Sequence, residues 1–517
     1  MQDDQADVIA FLKSPGAFAG AGETPGETPG ETQVVETHGA LVFLAGDTAL
    51  KIKRAVQYDY MDLSTLARRE AMLRRELELN QPVAPKIYRD VLPVTRDAAG
   101  WLALNGAGEV VEWVLRMWRF PARDELLVIA ERGGFTDALA EDLGHSICAY
   151  HAAAPGRDAD GARLIADILD ELDHAFAGMR AELGAAQVAG FRKRARVALR
   201  AVAGLLVARG AAGHVRRCHG DLHLRNLVLI DGRPVPFDAL EFDETLGTCD
   251  VLYDLAFLIM DLRHRDLARA ANIVLNTWLL AAGGAEDAGL AALPLFLAVR
   301  AAIRAMVCVQ TARARGDSGQ PQAEARAYLA EAVAALSPAA PRLVAVGGLS
   351  GTGKTTLARE LAPGVGAAPG AVHLRSDLER KVREGVAAQT RLGADHYAGA
   401  ARAEVYHHML QRAAVLLGTG HSVLLDATFL APEARAEAAA LAASLPVAFT
   451  GLWLEAPAAV LLSRVAARVG DASDADQAVV RQQLAQDTGV NDWNRVDAGG
   501  TVAAALRAAG AVLGETR

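Results

Sequence analysis

Apolar and polar residues alternate between residues 34 and 56, and this pattern predicts a β-hairpin. Its two strands cover residues 39–44 and 48–53. Residues 64–80 instead place leucines at helical spacing among arginines and glutamates, which predicts a helix. Residues 102–120 predict another pair of strands. The folded part of the chain is therefore expected to begin with a β-rich region that contains one helix.

The middle of the chain is predicted to be helical, and its end is predicted to be a parallel α/β sheet. Residues 136–210 are Ala-rich with helical periodicity, and more helices continue to residue 335 after a loop-and-strand region at 214–242. Two prolines among small residues at 336–341 indicate a domain junction. Beyond it, short apolar runs alternate with helical segments, which is typical of a parallel sheet. These runs lie at 343–346, 372–374, 423–425 and 448–454.

The patterns predict three parts of different structure. They are an N-terminal segment at 1–33, a mixed α+β domain at 34–336 and an α/β domain at 342–517. The first part contains the repeat GETPGETPGET at 22–32, whose prolines and glycines predict a mobile loop. A length of 517 residues, 52% of them hydrophobic, is enough for several cores.

Charge and cysteine content narrow the functional classes. With 53 Lys and Arg against 62 Asp and Glu, the net charge of −9 excludes a global positive field for nucleic acid or anionic lipid, although a local basic groove stays open. The four cysteines contain no C-x-x-C pair, which argues against a disulfide framework and a zinc site. The apolar runs at 272–285 and 288–299 are interrupted by polar residues and Pro294, so buried helices are expected rather than membrane spans. A cytoplasmic protein is the expectation.

A Gly-rich loop follows the first strand of the α/β domain. Residues 348–355 read GLSGTGKT and fit G-x-x-x-x-G-K-[ST] between a strand and a helix. The backbone N–H groups of such a loop cradle phosphates, Lys354 reaches the β- and γ-phosphates, and Thr355 can bind Mg²⁺. The residues predicted to bind ATP here are Gly348, Ser350, Gly351, Thr352, Gly353, Lys354, Thr355 and Thr356.

Three further residues at strand ends add to this site. Asp426 ends the strand at 423–425, where a carboxylate can hold Mg²⁺ or its water. Asp377 and Arg380 follow the run at 372–374, at the carboxyl end of a strand where ligands bind. Asp377 could accept the proton of a substrate hydroxyl. The alternative is a helix N-cap for Asp377 and a solvated Arg380.

Three arginines flank the polar segment at 470–476. Arg464 and Arg468 are four residues apart, so on a helix they share one face, and Arg481 follows the segment. They could close over the transferring phosphate as a lid, or they could be ordinary surface arginines.

Residues 342–484 resemble the P-loop kinases that include polynucleotide kinase, gluconate kinase and the zeta toxins. The phosphate loop and the D-x-x-R pair, Asp377 and Arg380, carry the resemblance. It implies transfer of phosphate to a hydroxyl, with Asp377 as the base and arginines in the lid. The hydroxyl differs among these relatives, so the resemblance leaves the substrate open.

A second phosphotransfer motif lies in the α+β domain. Residues 219–226, HGDLHLRN, have the spacing H-x-D-x-x-x-x-N, and Asp238 follows twelve residues after Asn226. Asp221 would orient or deprotonate the acceptor hydroxyl, while Asn226 and Asp238 would bind Mg²⁺. His219 is expected to support the loop.

Kinase chemistry also requires a lysine on a strand and an acidic partner on a helix. Lys51 and Lys53 lie on one face of the predicted second strand because they are two residues apart. Lys51 is the preferred candidate, with Glu76 as its partner and Glu70 as the alternative. A solvated lysine face with a surface glutamate is the competing interpretation.

Residues 31–335 resemble the aminoglycoside phosphotransferase family, whose fold is that of the protein kinases. The 219–226 loop, Asp238 and the helix around DVLYDLA at 250–256 carry the resemblance. It implies transfer of the ATP γ-phosphate to a hydroxyl of a small molecule. Residues 37–42 depart from the family because they contain no G-x-G-x-x-G loop. The whole chain is similar to bacterial proteins that join such a domain to a P-loop ATPase or kinase domain.

Three hypotheses follow from these motifs. The first is a bifunctional phosphotransferase with two Mg-ATP sites, each acting on a hydroxyl. The second is a nucleotide-sensing regulator or ATPase whose N-terminal half is a pseudokinase. The third is a kinase of nucleic-acid 5′-hydroxyl groups, which the acidic net charge does not favour.

Overall fold

The computed structural model describes residues 5–19, 32–37, 39–58, 61–316, 319–468 and 472–514. The chain forms two compact units. One consists of residues 1–157 and 215–254, and the other of residues 158–214 and 255–517. Residues 22–31 of the predicted repeat loop lie outside the described residues. The predicted junction at 336–341 lies inside the second unit, between a helix and a new sheet, and the domain limits drawn from it stay a prediction.

The first unit begins with two helices and a six-stranded antiparallel sheet. The sheet has the order β1-β2-β3-β8-β6-β7. The elements up to residue 157 are α1 (Ala6–Lys13), α2 (Pro15–Ala19), β1 (Gln33–Glu36), β2 (Ala40–Ala45), β3 (Thr48–Lys53), β4 (Gln57–Tyr58), β5 (Met61–Asp62), α3 (Leu66–Asn80), β6 (Tyr88–Arg96), β7 (Leu102–Leu104), β8 (Glu109–Trp118), α4 (Leu126–Glu131) and α5 (Asp137–Ala153).

The predicted hairpin and helix are confirmed. β2 pairs with β3 around the turn at Gly46, and α3 begins after Thr65, whose hydroxyl accepts the Arg68 N–H. The N-terminal segment is not separate from the sheet, because Val8 of α1 and Phe18 of α2 are buried in one core with β2 and β3. This apolar core fixes β3, the strand that carries both candidate lysines.

The strands predicted within 102–120 form, but they do not pair with each other. β6, which sequence analysis missed, lies between β7 and β8. Pro93 and three charged residues interrupt its apolar pattern. Proline is tolerated in a strand only where its missing N–H is not needed for the ladder, so it lowers the strand signal of a sequence. The prediction of a simple pair was therefore wrong.

The central part of the chain alternates between the two units. Residues 158–214 contribute three helices to the second unit, and residues 215–254 return to the first. The elements are α6 (Gly161–Ala177), α7 (Arg180–Leu183), α8 (Ala185–Ala211), β9 (Val215–Arg217), β10 (Leu227–Ile230), β11 (Arg233–Pro236), α9 (Glu244–Gly247), β12 (Thr248–Asp250), α10 (Val251–His264), α11 (Ala268–Ala281), α12 (Leu293–Arg315) and α13 (Gln320–Ala335).

The last part of the second unit is a five-stranded parallel sheet with the order β14-β15-β13-β16-β17. Its core consists of alternating Val and Leu residues of the strands packed on α14 and α20. The elements are β13 (Arg342–Gly348), α14 (Lys354–Leu361), β14 (Val372–Arg375), α15 (Ser376–Arg383), α16 (Gly399–Gly418), β15 (Val423–Asp426), α17 (Pro432–Ser444), β16 (Ala448–Glu455), α18 (Ala458–Ala466), α19 (Gln477–Ala485), β17 (Asn494–Asp497) and α20 (Val502–Leu513).

The predicted fold class is confirmed. An antiparallel sheet with one helix, followed by a loop and hairpin, forms the kinase-like region, and a parallel α/β sheet forms the P-loop region. Sequence analysis missed β17, because three of its four residues are polar.

Helix α11 covers the β14 edge of the parallel sheet. Asn272 Nδ2 donates to the Ala371 carbonyl at 3.1 Å, and Asn276 Oδ1 accepts the His373 N–H at 2.7 Å. Backbone groups on an edge strand need partners, and here side-chain amides supply them. The helical segment before the predicted junction is thus built into the sheet that follows it.

One stretch of the described residues, Asp287–Arg315, is long and apolar enough to cross a membrane by length and composition alone, and an 18-residue window within it has a mean hydropathy of 1.9. Sequence analysis did not expect such a stretch. Two thirds of its apolar window (67%) is buried inside the protein, as in a core helix.

Candidate functional site

The first candidate site lies in the first unit and begins with two buried lysines on β3. Lys51 Nζ lies 2.7 Å from Glu76 Oε1, and Lys53 Nζ lies 2.7 Å from Glu76 Oε2. Glu70, the alternative partner, pairs at the surface with Arg74. The structure therefore brings both candidate lysines to Glu76.

Two more carboxylates complete this charge cluster. Lys51 Nζ lies 2.8 Å from Asp238 Oδ1, and Lys53 Nζ lies 2.5 Å from Glu241 Oε1. Burial lowers the pKa of Lys51, but the three surrounding carboxylates outweigh burial and raise its pKa well above the usual value. Burial alone would raise the pKa of Asp238, but the nearby positive charges, chiefly that of Lys51, together have the larger effect and lower this pKa below its usual value. Sequence reasoning missed Glu241, whose signal is its position three residues after Asp238.

The β10–β11 hairpin brings the loop residues together. Asn226 directly precedes β10, and the Phe237 N–H donates to the Asn226 carbonyl at 3.0 Å, which places Asp238 beside it. Asn226 Nδ2 donates to the Asp221 carbonyl at 3.0 Å and to Asp221 Oδ2 at 3.1 Å. Since its nitrogen faces Asp221, the Oδ1 atom of Asn226 is the one that can bind a cation. The oxygens of Asn226 and Asp238 fit the predicted Mg²⁺.

The loop that carries Asp221 is held from inside the unit by Asp254. This carboxylate accepts the backbone N–H groups of His219 at 3.2 Å and Gly220 at 2.9 Å. His219 Nε2 lies 2.9 Å from the Phe237 carbonyl, and burial lowers the pKa of His219. A neutral, hydrogen-bonded imidazole supports the loop rather than transferring protons, while Asp221 keeps a partly exposed side chain.

The second candidate site is the Gly-rich loop between β13 and α14. Gly348, Gly351 and Gly353 have φ values of 138°, 88° and 86°, which favour glycine. A Cβ on Gly348 would lie 2.6 Å from the Leu454 carbonyl oxygen, so no larger residue fits there. Thr352 closes the loop, because its hydroxyl donates to the Leu349 carbonyl at 2.8 Å. The N–H groups at the start of α14 remain directed at the loop, the arrangement that binds phosphate.

A carboxylate and a hydroxyl meet beside this loop. Thr355 Oγ1 donates to Asp426 Oδ2 at 2.6 Å, and His373 Nε2 lies 3.2 Å from the same oxygen. Burial raises the pKa of Asp426, but the His373 hydrogen bond and the charge of Arg375 lower it to about 2. Asp426 is thus an ionised carboxylate, and with Thr355 it offers the oxygen ligands that Mg²⁺ prefers. Sequence reasoning missed His373.

Asp377 and Arg380 lie on α15, and both line a cavity beside the Gly-rich loop. Burial raises the pKa of Asp377, and the charge of Asp426 raises it further, a contribution that a cation at Asp426 would offset. Arg380 is buried, stacks over the Tyr397 ring at 4.4 Å, and its Nη1 atom has no hydrogen-bond partner among the described residues. The alternative of a solvated Arg380 does not fit this burial.

One cavity of about 550 Å³ joins these groups. Arg391 and Arg402, which sequence analysis did not select, also line it. Gly348 and Thr352 shape the loop behind it. The predicted residues that line the cavity are Ser350, Gly351, Gly353, Lys354, Thr355, Thr356, Asp377, Arg380, Asp426 and Arg468.

The structure separates the two lid arginines. Arg468 lines the cavity, whereas Arg464 Nη1 donates to the Ala498 carbonyl at 2.8 Å and does not line it. Arg481 contacts Gln477 at the surface. Helix α19 contacts the Gly-rich loop through Gln483, whose Oε1 atom accepts the Ser350 N–H at 2.8 Å.

We expect Arg468→Ala to reduce turnover at this site by about 10²-fold, the usual effect of removing one charge-stabilising donor. Arg464→Ala is its matched control and should leave turnover within about three-fold of wild type, because Arg464 contacts a distant turn. Steady-state kinetics of both variants test this. Equal losses in both would contradict the assignment.

A family model described as "AAA domain" matches residues 343–488. "Uncharacterized protein Rv2004c" of Mycobacterium tuberculosis (strain ATCC 25618 / H37Rv) is 32% identical over 482 residues, which cover 90% of this chain and 92% of the relative. "Uncharacterized protein Mb2027c" of Mycobacterium bovis matches with the same values. The similarity therefore covers nine tenths of this chain.

Two solved structures are similar to parts of the chain. A gluconokinase from Sinorhizobium meliloti 1021 is 23% identical, covers 34% of this chain and 92% of its own, and has a TM-score of 0.25. A choline/ethanolamine kinase family protein from Mesorhizobium loti is 17% identical, covers 59% of this chain and 88% of its own, and has a TM-score of 0.36.

Proposed function

We propose one kind of reaction for both sites of this chain, which belongs to the same family as the mycobacterial proteins Rv2004c and Mb2027c and covers 92% of their length. The protein is a bifunctional ATP-dependent phosphotransferase. Each site moves the γ-phosphate of Mg-ATP to a hydroxyl, which at the kinase-like site belongs to a small molecule. The protein acts in the cytoplasm, in keeping with four cysteines that form no disulfide.

The observation that carries this proposal is the convergence in one cavity of a phosphate loop, a metal-type ligand pair and a partly buried carboxylate. Lys354, Thr355, Asp426 and Asp377 all line the 550 Å³ cavity. A phosphoryl-transfer site needs positioning and charge stabilisation more than covalent chemistry, and these four residues supply both. Asp377 accepts the proton of the acceptor hydroxyl, and Arg380 and Arg468 stabilise the charge that develops on the phosphoryl oxygens.

The kinase-like site carries out the same chemistry with a different set of residues. Lys51, fixed by Glu76, binds the nucleotide phosphates, and Asp221 orients and deprotonates the acceptor hydroxyl. Asn226 and Asp238 would hold Mg²⁺, which neutralises the phosphate charge when bound. The contact between Lys51 and Asp238 keeps both groups in place beside the phosphates.

The test has two steps, both on the full-length protein. Equilibrium dialysis with radioactive ATP and Mg²⁺ should give two nucleotides per chain. Incubation with a mixed pool of cell metabolites and 5′-hydroxyl oligonucleotides should then give phosphorylated products detected by mass spectrometry. Two bound nucleotides without any product would contradict phosphotransfer. Phosphorylated oligonucleotides instead of metabolites would favour the nucleic-acid kinase.

A nucleotide-sensing regulator is the second candidate function, and one observation favours it. The Thr37 hydroxyl accepts the Ala40 N–H at 3.0 Å, and the sequence between β1 and β2 contains one glycine, Gly39, rather than a glycine-rich loop that could cover phosphates. In this alternative the kinase-like half binds ATP without turnover. Nucleotide bound at that site with a product made only at the P-loop would support it.

We expect Lys51→Met to reduce turnover at the kinase-like site by about 10²-fold, and Lys53→Met to reduce it by less than about ten-fold. Lys51 Nζ contacts Asp238, while Lys53 Nζ contacts Glu241. Each single variant leaves Glu76 paired with the other lysine, so both should fold. The ratio of kcat/KM values decides, and a larger loss in Lys53→Met would reverse the assignment.

A further inference from the structure

A buried ion cluster connects the turn before α12 with the helix that carries Asp377. Arg412 on α16 lies between two carboxylates. Its Nε and Nη2 atoms each lie 2.8 Å from an oxygen of Asp287, and its Nη1 atom lies 2.7 Å from Glu379 Oε1. Asp287, Arg412 and Glu379 are only 3%, 7% and 1% exposed. The cluster is therefore closed to water, where a lost charge partner is poorly replaced.

The geometry of this cluster is specific for arginine. The planar guanidinium binds Asp287 through two parallel hydrogen bonds and still directs a third N–H at Glu379. Gly284 allows the close approach, because a Cβ there would lie 3.2 Å from Arg412 Nε. Its φ of 85° also favours glycine.

The turn that carries Asp287 is itself fixed from the other side. The neighbouring Glu286 contacts Arg209 of α8 at 2.7 Å and His214 at 2.8 Å. Consecutive carboxylates thus reach in two directions, one to the helical region and one to the P-loop region. We call the series of ion pairs from Glu286 and Asp287 through Arg412 to Glu379 the relay. Both of its ends lie in the second unit.

Glu379 is the end of the relay that bears on chemistry. It lies on α15, a helix of eight residues that also carries Asp377 and Arg380. A helix of two turns is marginal on its own and depends on tertiary contacts for its position. Arg412 supplies such a contact from within the protein, together with His408, whose Nε2 atom lies 3.4 Å from Glu379 Oε2, and with the ion pair of Lys381 and Asp474. The placement of Asp377 therefore depends in part on what holds Arg412.

We propose that Asp287 is a positioning residue for phosphotransfer at the P-loop site. It orients Arg412, which holds Glu379 and thereby fixes α15 with Asp377 at the cavity. The proposal rests on the function proposed above. It makes a residue of the helical region, far from the phosphate loop in sequence, part of the support of the P-loop site.

The test compares full-length wild type with Asp287→Asn, Asp287→Glu and the control Asp170→Asn, whose carboxylate forms an exposed ion pair with Arg196. Hydrogen exchange is measured at residues 376–383 and, as a reference, at 343–348. Turnover at the P-loop site is the ATP hydrolysis that Lys354→Ala removes. In Asp287→Asn we expect exchange at 376–383 to rise about ten-fold and turnover to fall about ten-fold or more, with the KM for ATP within about three-fold. Asp287→Glu should recover part of both.

Two results would overturn the proposal. Unchanged exchange at 376–383 in Asp287→Asn would show that α15 does not depend on the relay. A parallel loss of protection at 343–348 would show that Asp287 holds the whole sheet rather than one helix. The exchange measurement reads α15 directly, so it decides even if wild-type protein shows no ATP turnover, a result that would overturn the proposed function alone.

Discussion

Replacing Lys354 by alanine is expected to abolish the product made at the P-loop site while the product of the kinase-like site persists. Lys354 lies at the start of α14 and lines the cavity with Thr355 and Asp426, where a P-loop lysine contacts the β- and γ-phosphates of ATP. Its loss removes a stabilising charge from the transition state, which costs about 10³-fold in kcat. Product analysis by mass spectrometry from the mixed metabolite pool measures both products at once.

The matched control for this change is Lys193→Ala, an exposed lysine on α8 of the same unit. It should leave both products at wild-type levels. If Lys354→Ala removes every product, the two sites do not act independently, and the kinase-like half is a regulatory or substrate-binding region. If it removes none, the P-loop is not a phosphotransfer site.

Replacing Asp221 by asparagine is expected to give the opposite result, loss of the second product with the P-loop product retained. The asparagine keeps the shape and the contact with Asn226 but cannot accept the proton of the acceptor hydroxyl. General-base catalysis contributes about 10²- to 10⁴-fold, so a loss of about 10³-fold is expected in kcat with little change in the KM for ATP. The same mass-spectrometric assay and an ATP titration measure these quantities.

Asp231→Asn is the control, since Asp231 is an exposed aspartate at the β10–β11 turn whose φ of 51° suits asparagine equally well. It should change neither product. Full activity in Asp221→Asn would rule out the base role. Reduced ATP binding without a change in kcat would assign Asp221 to the nucleotide instead.

The parts of the two sites that could be predicted are those whose residues are close together in sequence. The phosphate loop and the 219–226 loop are contiguous, and their spacing follows directly from what phosphate and Mg²⁺ require. The sequence pattern does not separate Lys51, the preferred candidate, from Lys53, because a two-residue spacing puts both on one face, and the structure pairs both with Glu76. Glu76 was preferred over Glu70, and the contact with both lysines agrees with that preference.

The parts that could not be predicted depend on partners far apart in sequence. Arg464 and Arg468 look equivalent on a helix, but a contact with the Ala498 carbonyl takes only the first away from the cavity. Arg412 carries no motif, and its role follows only from the approach of Asp287 and Glu379. β6 was hidden by Pro93 and charged residues, although its position in the sheet is secured by pairing with β8. Periodicity reports local burial, and these contacts are not local.

The two asparagines on α11 determine where the P-loop region can be separated from the rest of the chain. Asn272 and Asn276 occupy the hydrogen-bonding edge of β14. A protein fragment that starts at Arg342 would lack both asparagines and would leave that edge open to any other extended chain. Open edges pair with one another and form aggregates. The smallest fragment that contains the P-loop region and keeps the β14 edge protected therefore starts before α11.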